Sequence, residues 1–245
     1  MNLTLAMVTN LKEVLDHKRP MNSHTLHSLQ KDYILRCTYH SNAIEGNTLT
    51  LNETKAILED GITIGQGKSL KEHLEVINHR DAILYVENTK NNQITERDIR
   101  NIHAIILRGI DEDTGSYRGE EVLIQGASHN VTPSYLIKEH MNDLMNWYET
   151  SIADSEHPIV RAAMLHSKFV NVHPFLDGNG RTGRLIMNLE LVRCGYLPVI
   201  AEVESRQDYY KALDVAGEKG DFSQIIDYIM EREVRALEMY LGYSS

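Results

Sequence analysis

The sequence has little of what marks secreted, membrane-spanning or metal-rich proteins. Only two of its 245 residues are cysteines, Cys37 and Cys194, and their spacing matches no disulfide framework, metal motif or redox motif. No apolar run approaches the ~20 residues that a membrane helix needs. The N-terminal segment also lacks the basic and apolar regions of a secretion signal. We therefore expect a soluble protein of the reducing cytoplasm that has no membrane partner.

A surplus of positive charge is missing as well. The chain carries 25 lysines and arginines against 35 aspartates and glutamates, which gives a formal net charge of −10. Proteins that bind nucleic acids usually show a basic surplus or a basic stripe, so this balance argues against a nucleic-acid partner. Hydrophobic residues make up 42% of the chain, which is ordinary for a globular protein.

Helical periodicity dominates the rest of the chain. In segment 24–40, apolar or aromatic residues recur at three- and four-residue steps, which predicts an amphipathic helix. Segment 68–88 is predicted to be helical on the same criterion, with one apolar side formed by Leu70, Leu74, Ile77 and Leu84. Start and stop signals and apolar spacing predict further helices at about 50–61, 95–107, 132–150, 158–172, 181–194, 205–217 and 222–240.

Local capping signals fix several of these boundaries. Thr50 with Glu53 forms a capping box, and Gly61 is expected to end that short helix. Thr132 followed by Pro133 reads as an N-cap and a first-position proline.

Only one segment reads as a strand, VLIQG at 122–126, which is β-branched and bounded by glycine. We therefore predict an all-α fold with a small β-hairpin. The chain has no repeats and no linker-like tract, so we expect one mostly helical domain. Residues 1–90 would form its N-terminal helical region and residues 91–245 its core and C-terminal helices.

The segment HPFLDGNGRTGR, from His173 to Arg184, concentrates residues that suit an anion site. Gly178, Asn179 and Gly180 directly precede a predicted helix, whose first N–H groups and dipole favour negative charge. Arg181 and Arg184 lie one turn apart in the first turns of that helix. Two cations there need a compensating anion, and the planar guanidinium suits a polyphosphate.

Two further residues of the segment suggest the chemistry. Asp177 fits a ligand for Mg²⁺, which usually binds one or two carboxylates together with substrate phosphates. His173 ends the preceding helix at an X-Pro turn, and a histidine of ordinary pKa near ~6.5 suits a general base. A tight turn with solvated arginines and a capping histidine would explain each residue singly, but it explains the whole set poorly.

This segment resembles the signature of the Fic family, H-P-F-x-D/E-G-N-G-R-x-x-R, with every defining position filled. Residues 115–134 resemble the flap segment of that family, and residues 206–213 resemble the region after its signature helix. The resemblance implies the α-helical Fic fold with a β-hairpin flap. It also implies transfer of AMP from ATP to a hydroxyl group of a target protein.

The resemblance assigns roles by matching position. His173 would deprotonate a Ser, Thr or Tyr hydroxyl of the target, and Asp177 would hold Mg²⁺ or Mn²⁺ on the phosphates. The phosphates of ATP would be held by Gly178, Asn179, Gly180, Arg181, Thr182, Gly183 and Arg184. The candidates for the nucleoside side are Tyr209, Tyr210 and Leu213. The flap that would pair with an extended target segment consists of Val122, Leu123, Ile124, Gln125 and Gly126. One departure is Gly217, which stands where relatives often carry an asparagine near the nucleotide.

A second segment, SNAIEGN at 41–47, resembles the inhibitory motif of the family, S/T-x-x-x-E-G/N. Ser41, Glu45 and Gly46 fill its defining positions, at the end of a predicted inhibitory helix of about 24–46. The resemblance implies that Glu45 pairs with Arg184 and keeps it from the γ-phosphate, so that the enzyme is restrained.

Two alternatives to restrained AMP transfer stay open at this point. Glu45 could instead orient water for removal of AMP from a modified protein, and one enzyme could catalyse both directions. From another class, the chain could be a nucleotide-sensing module without catalysis. The target protein is not identified by the sequence, and both self-modification and a homo-oligomer are compatible with it.

Overall fold

The computed structural model describes residues 3–65, 67–122, 131–153 and 155–243. Within these ranges the chain is helical and contains no β-strand. The α-helices are α1 (Leu5–His17), α2 (Ser23–Ile44), α3 (Leu51–Lys55), α4 (Leu70–Thr89), α5 (Glu96–Ile106), α6 (Ile137–Ala153), α7 (Pro158–Val172), α8 (Asn179–Arg193), α9 (Arg206–Lys219) and α10 (Ser223–Gly242). Short 3₁₀ turns cover Ser134–Leu136 and Val203–Ser205, and a π-helical turn covers Ala56–Asp60. The all-α prediction is confirmed for the described residues.

The boundaries predicted at Thr50, Gly61 and Pro158 are confirmed. At α3, the Thr50 side chain accepts the N–H of Glu53 at 3.2 Å, and the Glu53 carboxylate accepts the N–H of Thr50 at 2.7 Å. The π-helical turn after α3 ends at Gly61, which adopts a left-handed φ of 65°. Pro158 occupies the first turn of α7, as predicted. These signals act over three or four residues, so they can be read from the sequence.

The predicted apolar face of α4 is wrong. Leu70 is 74% exposed and Leu84 is 44% exposed. The helix instead buries a face that mixes apolar and polar side chains, namely His73, Val76, Asn78, His79, Ala82, Ile83 and Val86. The spacing of leucines did not predict this face because three of its members are polar. Polar side chains can be buried when they are hydrogen-bonded, and Asn78 Nδ2 donates to the carbonyls of Ile106 and Arg108.

The predicted start of α6 is also wrong in detail. Pro133 has ψ 142° and lies outside the helical region, and the 3₁₀ turn begins at the next residue. The N–H of Ser134 donates to Glu121 Oε1 at 2.9 Å, so a carboxylate thirteen residues earlier satisfies it. Thr132 therefore does not cap this helix. A cap supplied from a distant residue leaves no local sequence signal.

Helix α1 was not predicted from the sequence. It packs against α10 and buries Val8 and Leu15 completely. Its N-cap is Thr4, whose hydroxyl accepts the N–H of Met7 at 3.4 Å. The signal was a capping threonine followed by apolar residues at helical spacing.

The helices α7 and α8 pack against each other at the centre of the molecule. One hydrophobic core joins them to α4, α5 and α6, and a second core joins them to α1, α9 and α10. Gly183 permits their close approach, because a Cβ at this position would lie 2.8 Å from His166 Nδ1 and 2.9 Å from Val170 Cγ1.

Helix α2 packs against α4, and α4 packs against both α5 and α8. This arrangement brings the C-terminal end of α2 to the first turns of α8.

The predicted boundary near residue 90 stays a prediction. In the described part of the chain, no helix is long and apolar enough to cross a membrane, and Cys37 and Cys194 are both free thiols.

Candidate functional site

The loop between α7 and α8 begins at His173, which adopts a left-handed conformation (φ 50°, ψ 59°). Its N–H donates to the Phe169 carbonyl at 3.1 Å and so ends α7. Arg118, which is 4% exposed, also binds this loop. Its Nε donates to the His173 carbonyl at 2.8 Å, and its backbone N–H donates to the Pro174 carbonyl at 2.9 Å. Sequence reasoning missed Arg118, because it lies 55 residues from its partner.

The environment of His173 favours a neutral imidazole. Burial lowers the pKa of His173 below its ordinary value, and the nearby Arg118 charge lowers it further. Smaller opposing effects on this pKa come from the Val170 carbonyl, Glu45 and Asp177. A histidine whose pKa lies below ~6.5 is mostly unprotonated at neutral pH, so it can accept a proton.

A second histidine, His103, supports the glycine-rich turn. Its Nδ1 accepts the N–H of Gly115 at 2.8 Å, so its Nε2 is the donor to the Asp177 carbonyl at 3.0 Å. Its ring stacks on buried Phe175 with centroids 3.6 Å apart. A Cβ at Gly178 would lie 3.3 Å from this ring, and Gly178 has a left-handed φ of 77°. A glycine is therefore required at this turn for both space and conformation.

Gly178 is the N-cap of α8 and offers no side chain to the free N–H groups of the first turn. Such groups have no acceptor within the helix and can therefore bind an anion. The Asn179 side chain is not available to a ligand. It is buried and closes the loop by two hydrogen bonds to the backbone of Phe175, at 3.0 and 2.8 Å. Thr182 is also fully buried.

Asp177 is the carboxylate best placed for a metal. Its Oδ1 accepts the N–H of Gly178 at 2.6 Å and Arg181 Nη2 at 3.2 Å, while its Oδ2 lies 4.0 Å from Lys71 Nζ. Burial would raise the pKa of Asp177, but Arg181, the Gly178 N–H and Lys71 together lower it, so the side chain is ionised.

This carboxylate fits Mg²⁺ at an anion site. The Asp177 side chain is 50% exposed, and Mg²⁺ needs only one or two carboxylates when phosphates supply further oxygens. The described residues contain no group of three or more His, Cys, Asp or Glu side chains that could hold a metal. Phosphate oxygens and water would therefore have to complete the coordination.

Arg184 is buried and is held by the end of α2. Its Nε donates to Ser41 Oγ at 3.0 Å, and its Nη2 donates to the Ser41 carbonyl at 2.9 Å and to Glu45 Oε1 at 2.8 Å. Burial alone would lower the pKa of Arg184, but the Glu45 charge raises it. In this conformation Nε and Nη2 are engaged by Ser41 and Glu45, whereas Nη1 is buried without a hydrogen-bond partner among the described residues.

Glu45 also occupies space at the start of α8. It is the C-cap residue of α2, and Gly46 follows with φ 96°. A Cβ at Gly180 would clash with Glu45 Oε1 and would lie 3.1 Å from its carboxyl carbon. The carboxylate therefore lies directly against the glycine turn where an anion would bind.

The three residues predicted for the nucleoside side differ in exposure. Tyr209 is 2% exposed, and its hydroxyl lies 2.6 Å from His166 Nε2. Leu213 is 8% exposed, whereas Tyr210 is 41% exposed and its hydroxyl donates to the Ile44 carbonyl at 3.5 Å. Tyr210 is thus the one of the three that a ligand can reach. Gly217 borders an open cavity of about 670 Å³ that is also lined by Thr132, Trp147, Lys168, Asn171 and Phe222.

The predicted flap falls mostly outside the described residues. Val122 is described and belongs to no helix or strand. Leu123, Ile124, Gln125 and Gly126 lie outside the described ranges, so the hairpin stays a prediction. Arg118 fixes the near side of this segment, with Nη1 donating to the Glu120 carbonyl at 2.6 Å.

The helical fold and the glycine turn between α7 and α8 define a recognised class. The Fic/DOC family model matches residues 93–191, which include the whole 173–184 segment. A solved structure of Fic-1 from Caenorhabditis elegans is 36% identical, with a TM-score of 0.86, and the match covers 97% of this chain and 71% of that one. The chain belongs to the Fic/DOC family.

Two other comparisons extend this finding. A Fic-domain-containing signalling protein from Bacteroides thetaiotaomicron has a TM-score of 0.89 at 27% identity, with 97% of this chain and 96% of that chain covered. The curated relative "Protein adenylyltransferase fic-1" from Caenorhabditis elegans is 36% identical over 243 residues, which are 97% of this chain and 47% of the relative. The chain thus spans about half the length of the curated relatives it matches.

Proposed function

We propose that the protein is an adenylyltransferase that transfers AMP from ATP to a Ser, Thr or Tyr hydroxyl of a target protein, and that Glu45 restrains it. The observation that carries the proposal is the group at the start of α8, where free N–H groups, two buried arginines and a neutral histidine surround one anion site. The printed names of the curated relatives support the same activity.

The triphosphate would lie against the first turn of α8. Backbone N–H groups of Gly178, Asn179 and Gly180 would bind the α- and β-phosphates, and Arg181 and Arg184 would bind the outer ones. Asp177 would hold Mg²⁺, or Mn²⁺, which neutralises charge on the phosphates when it is bound. The nucleoside would extend toward Tyr210.

His173 would act as the general base. Its neutral imidazole accepts the proton of the target hydroxyl, whose oxygen then forms a bond to the α-phosphorus of ATP. The bond from the α-phosphorus to the bridging oxygen breaks, and pyrophosphate leaves. The target segment would be presented by the flap that includes Val122, through backbone pairing.

The pH dependence follows from the environment of His173. Because burial and Arg118 lower the pKa of His173, the base stays unprotonated as the pH falls toward the ordinary histidine value. For the Glu45→Gly variant we expect kcat/KM to be nearly constant from pH ~8 to ~6.5 and to fall below that. The measurement is AMP transfer from labelled ATP across this range. An acid limb with its midpoint above pH ~7 would contradict a neutral base.

Restraint would come from competition for Arg184. The γ-phosphate and the Glu45 carboxylate are both anions, and Nε and Nη2 of Arg184 already donate to Ser41 and Glu45. The carboxylate also lies against Gly180, where it would repel a phosphate. ATP could then bind only in a pose in which the α-phosphorus is poorly aligned with His173.

One observation favours a second activity, the removal of AMP from a modified protein. The Glu45 carboxylate lies within the anion site itself, where it could orient a water molecule toward phosphorus. Release of AMP from an AMP-modified target that is lost in Glu45→Gln would favour this reaction. Release at an unchanged rate in that variant would exclude Glu45 from it.

The experiment that tests the proposal uses Glu45→Gly with labelled ATP, Mg²⁺ and a cell lysate. Mass spectrometry of the labelled peptides identifies the target and the modified hydroxyl, including any on the enzyme itself. ATP binding without any transfer would instead support a nucleotide-sensing module. Because a homo-oligomer could control the restraint, the reaction is run over a range of enzyme concentrations.

A further inference from the structure

Arg181 is a buried cation between two carboxylates. It is 2% exposed, its Nη1 lies 3.2 Å from Glu75 Oε1, and its Nη2 lies 3.2 Å from Asp177 Oδ1. A buried guanidinium requires opposite charge close by, because removal from water is costly without it. The position of this arginine at the phosphate site therefore depends on both acids.

The two acids differ in how firmly they are held. Asp177 lies on the loop before α8 and its side chain is 50% exposed, whereas the Glu75 side chain is 11% exposed on α4. Glu75 Oε2 accepts a hydrogen bond from Asn47 Nδ2 at 2.8 Å. The same Asn47 Nδ2 lies 3.1 Å from the Glu72 carbonyl, which fixes the amide on α4.

The proposed metal site makes this difference important. When Asp177 binds a divalent cation, its charge is shared with the metal and its attraction for Arg181 weakens. Glu75 then supplies the remaining full negative charge beside the guanidinium. It lies on α4 and contacts Nη1 of Arg181, so it can keep Arg181 in place while Asp177 serves the metal.

We propose that Glu75 is a positioning residue for the phosphates of ATP, since it holds Arg181 at the anion site while Asp177 serves the metal. Asn47 in turn fixes the Glu75 carboxylate through a hydrogen bond. Because Asn47 follows Glu45 and Gly46 directly, one short segment fixes both arginines of the site: Ser41 and Glu45 bind Arg184, and Asn47 acts on Arg181 through Glu75. This inference rests on the proposed function.

The test uses Glu45→Gly as the parent, so that the restraint on Arg184 is absent. Glu75→Gln keeps the shape of the side chain and removes its charge. We expect the Kd and KM for MgATP to rise about tenfold, because Arg181 loses one of its two negative partners, with kcat changed less than about twofold. Glu75→Asp keeps the charge and should recover a large part of the affinity. Glu87→Gln is the matched control, because Glu87 lies on α4 and pairs with Lys90 instead.

Isothermal titration of MgATP and AMP transfer are measured on the same preparations, together with thermal unfolding. If Glu75→Gln does not fold, Asn47→Ala carries the test, since it keeps the Glu75 charge and removes the hydrogen bond that anchors it. The variant also loses the bonds of Asn47 to the Glu72 carbonyl and the Leu49 N–H, so its thermal unfolding is compared with that of the parent. A rise of about threefold in KM is then expected. A Kd and KM equal to those of the parent in the folded variant would overturn the inference alone. A parent that binds MgATP and transfers no AMP would overturn the proposed function instead.

Discussion

Glu45→Gly is expected to raise the rate of AMP transfer from ATP by roughly tenfold to a hundredfold. Breaking a buried ion pair by removing one partner often costs about 3–5 kcal/mol, and about 1.4 kcal/mol corresponds to tenfold. The Glu45 side chain is 32% exposed, so solvent screens the pair and a smaller value of roughly 1.4–2.8 kcal/mol applies. The measurement is incorporation of labelled AMP into protein under initial-rate conditions.

A second variant separates the effect of the Glu45 charge from the effect of the space that its side chain occupies. Glu45→Gln keeps a side chain against Gly180 but removes the charge that binds Arg184. We expect its rate to lie between those of the wild type and Glu45→Gly. A rate for Glu45→Gly no higher than that of the wild type would refute the restraint.

His173→Ala, made in the Glu45→Gly background, is expected to abolish detectable transfer. General-base catalysis contributes roughly a hundredfold to ten-thousandfold, and His173 lies at the start of the glycine loop that leads into α8. ATP binding should change little, because His173 contributes no charge to the phosphates when its pKa is lowered. Transfer and MgATP binding are measured on the same protein.

A control for this variant is His27→Ala, which removes an exposed histidine of α2. It should transfer AMP at the rate of the Glu45→Gly parent. Transfer by His173→Ala at a comparable rate would remove His173 from the mechanism. A loss of ATP binding in His173→Ala would show that the substitution disturbs the loop instead.

The parts of the molecule that the sequence predicts are local in the chain. The capping box of Thr50 and Glu53 spans three residues, and the 173–184 segment places a loop and a helix N-terminus next to each other without help from the rest of the fold. Helical periodicity likewise predicts α7 and α8, whose apolar residues are frequent. Such features depend on spacing that can be counted in the sequence.

The parts that were missed depend on distant partners. Arg118 binds the His173 carbonyl across 55 residues, and Arg181 pairs with Glu75 from another helix. The approach of Glu45 to Arg184 spans 139 residues, so spacing and propensity gave no reason to expect it and only the family resemblance did. The buried face of α4 was also missed, because polar residues such as His79 are not recognised as core residues from the sequence.

Glu45 is proposed to act on the reaction mainly through Arg184. This role is tested by a double-mutant cycle on the rate of AMP transfer, with wild type, Glu45→Gly, Arg184→Ala and the double variant. We expect Glu45→Gly to activate the wild-type background roughly tenfold or more and the Arg184→Ala background much less, because only the repulsion beside Gly180 is relieved there. Equal activation by Glu45→Gly in both backgrounds would show that Glu45 does not act through Arg184.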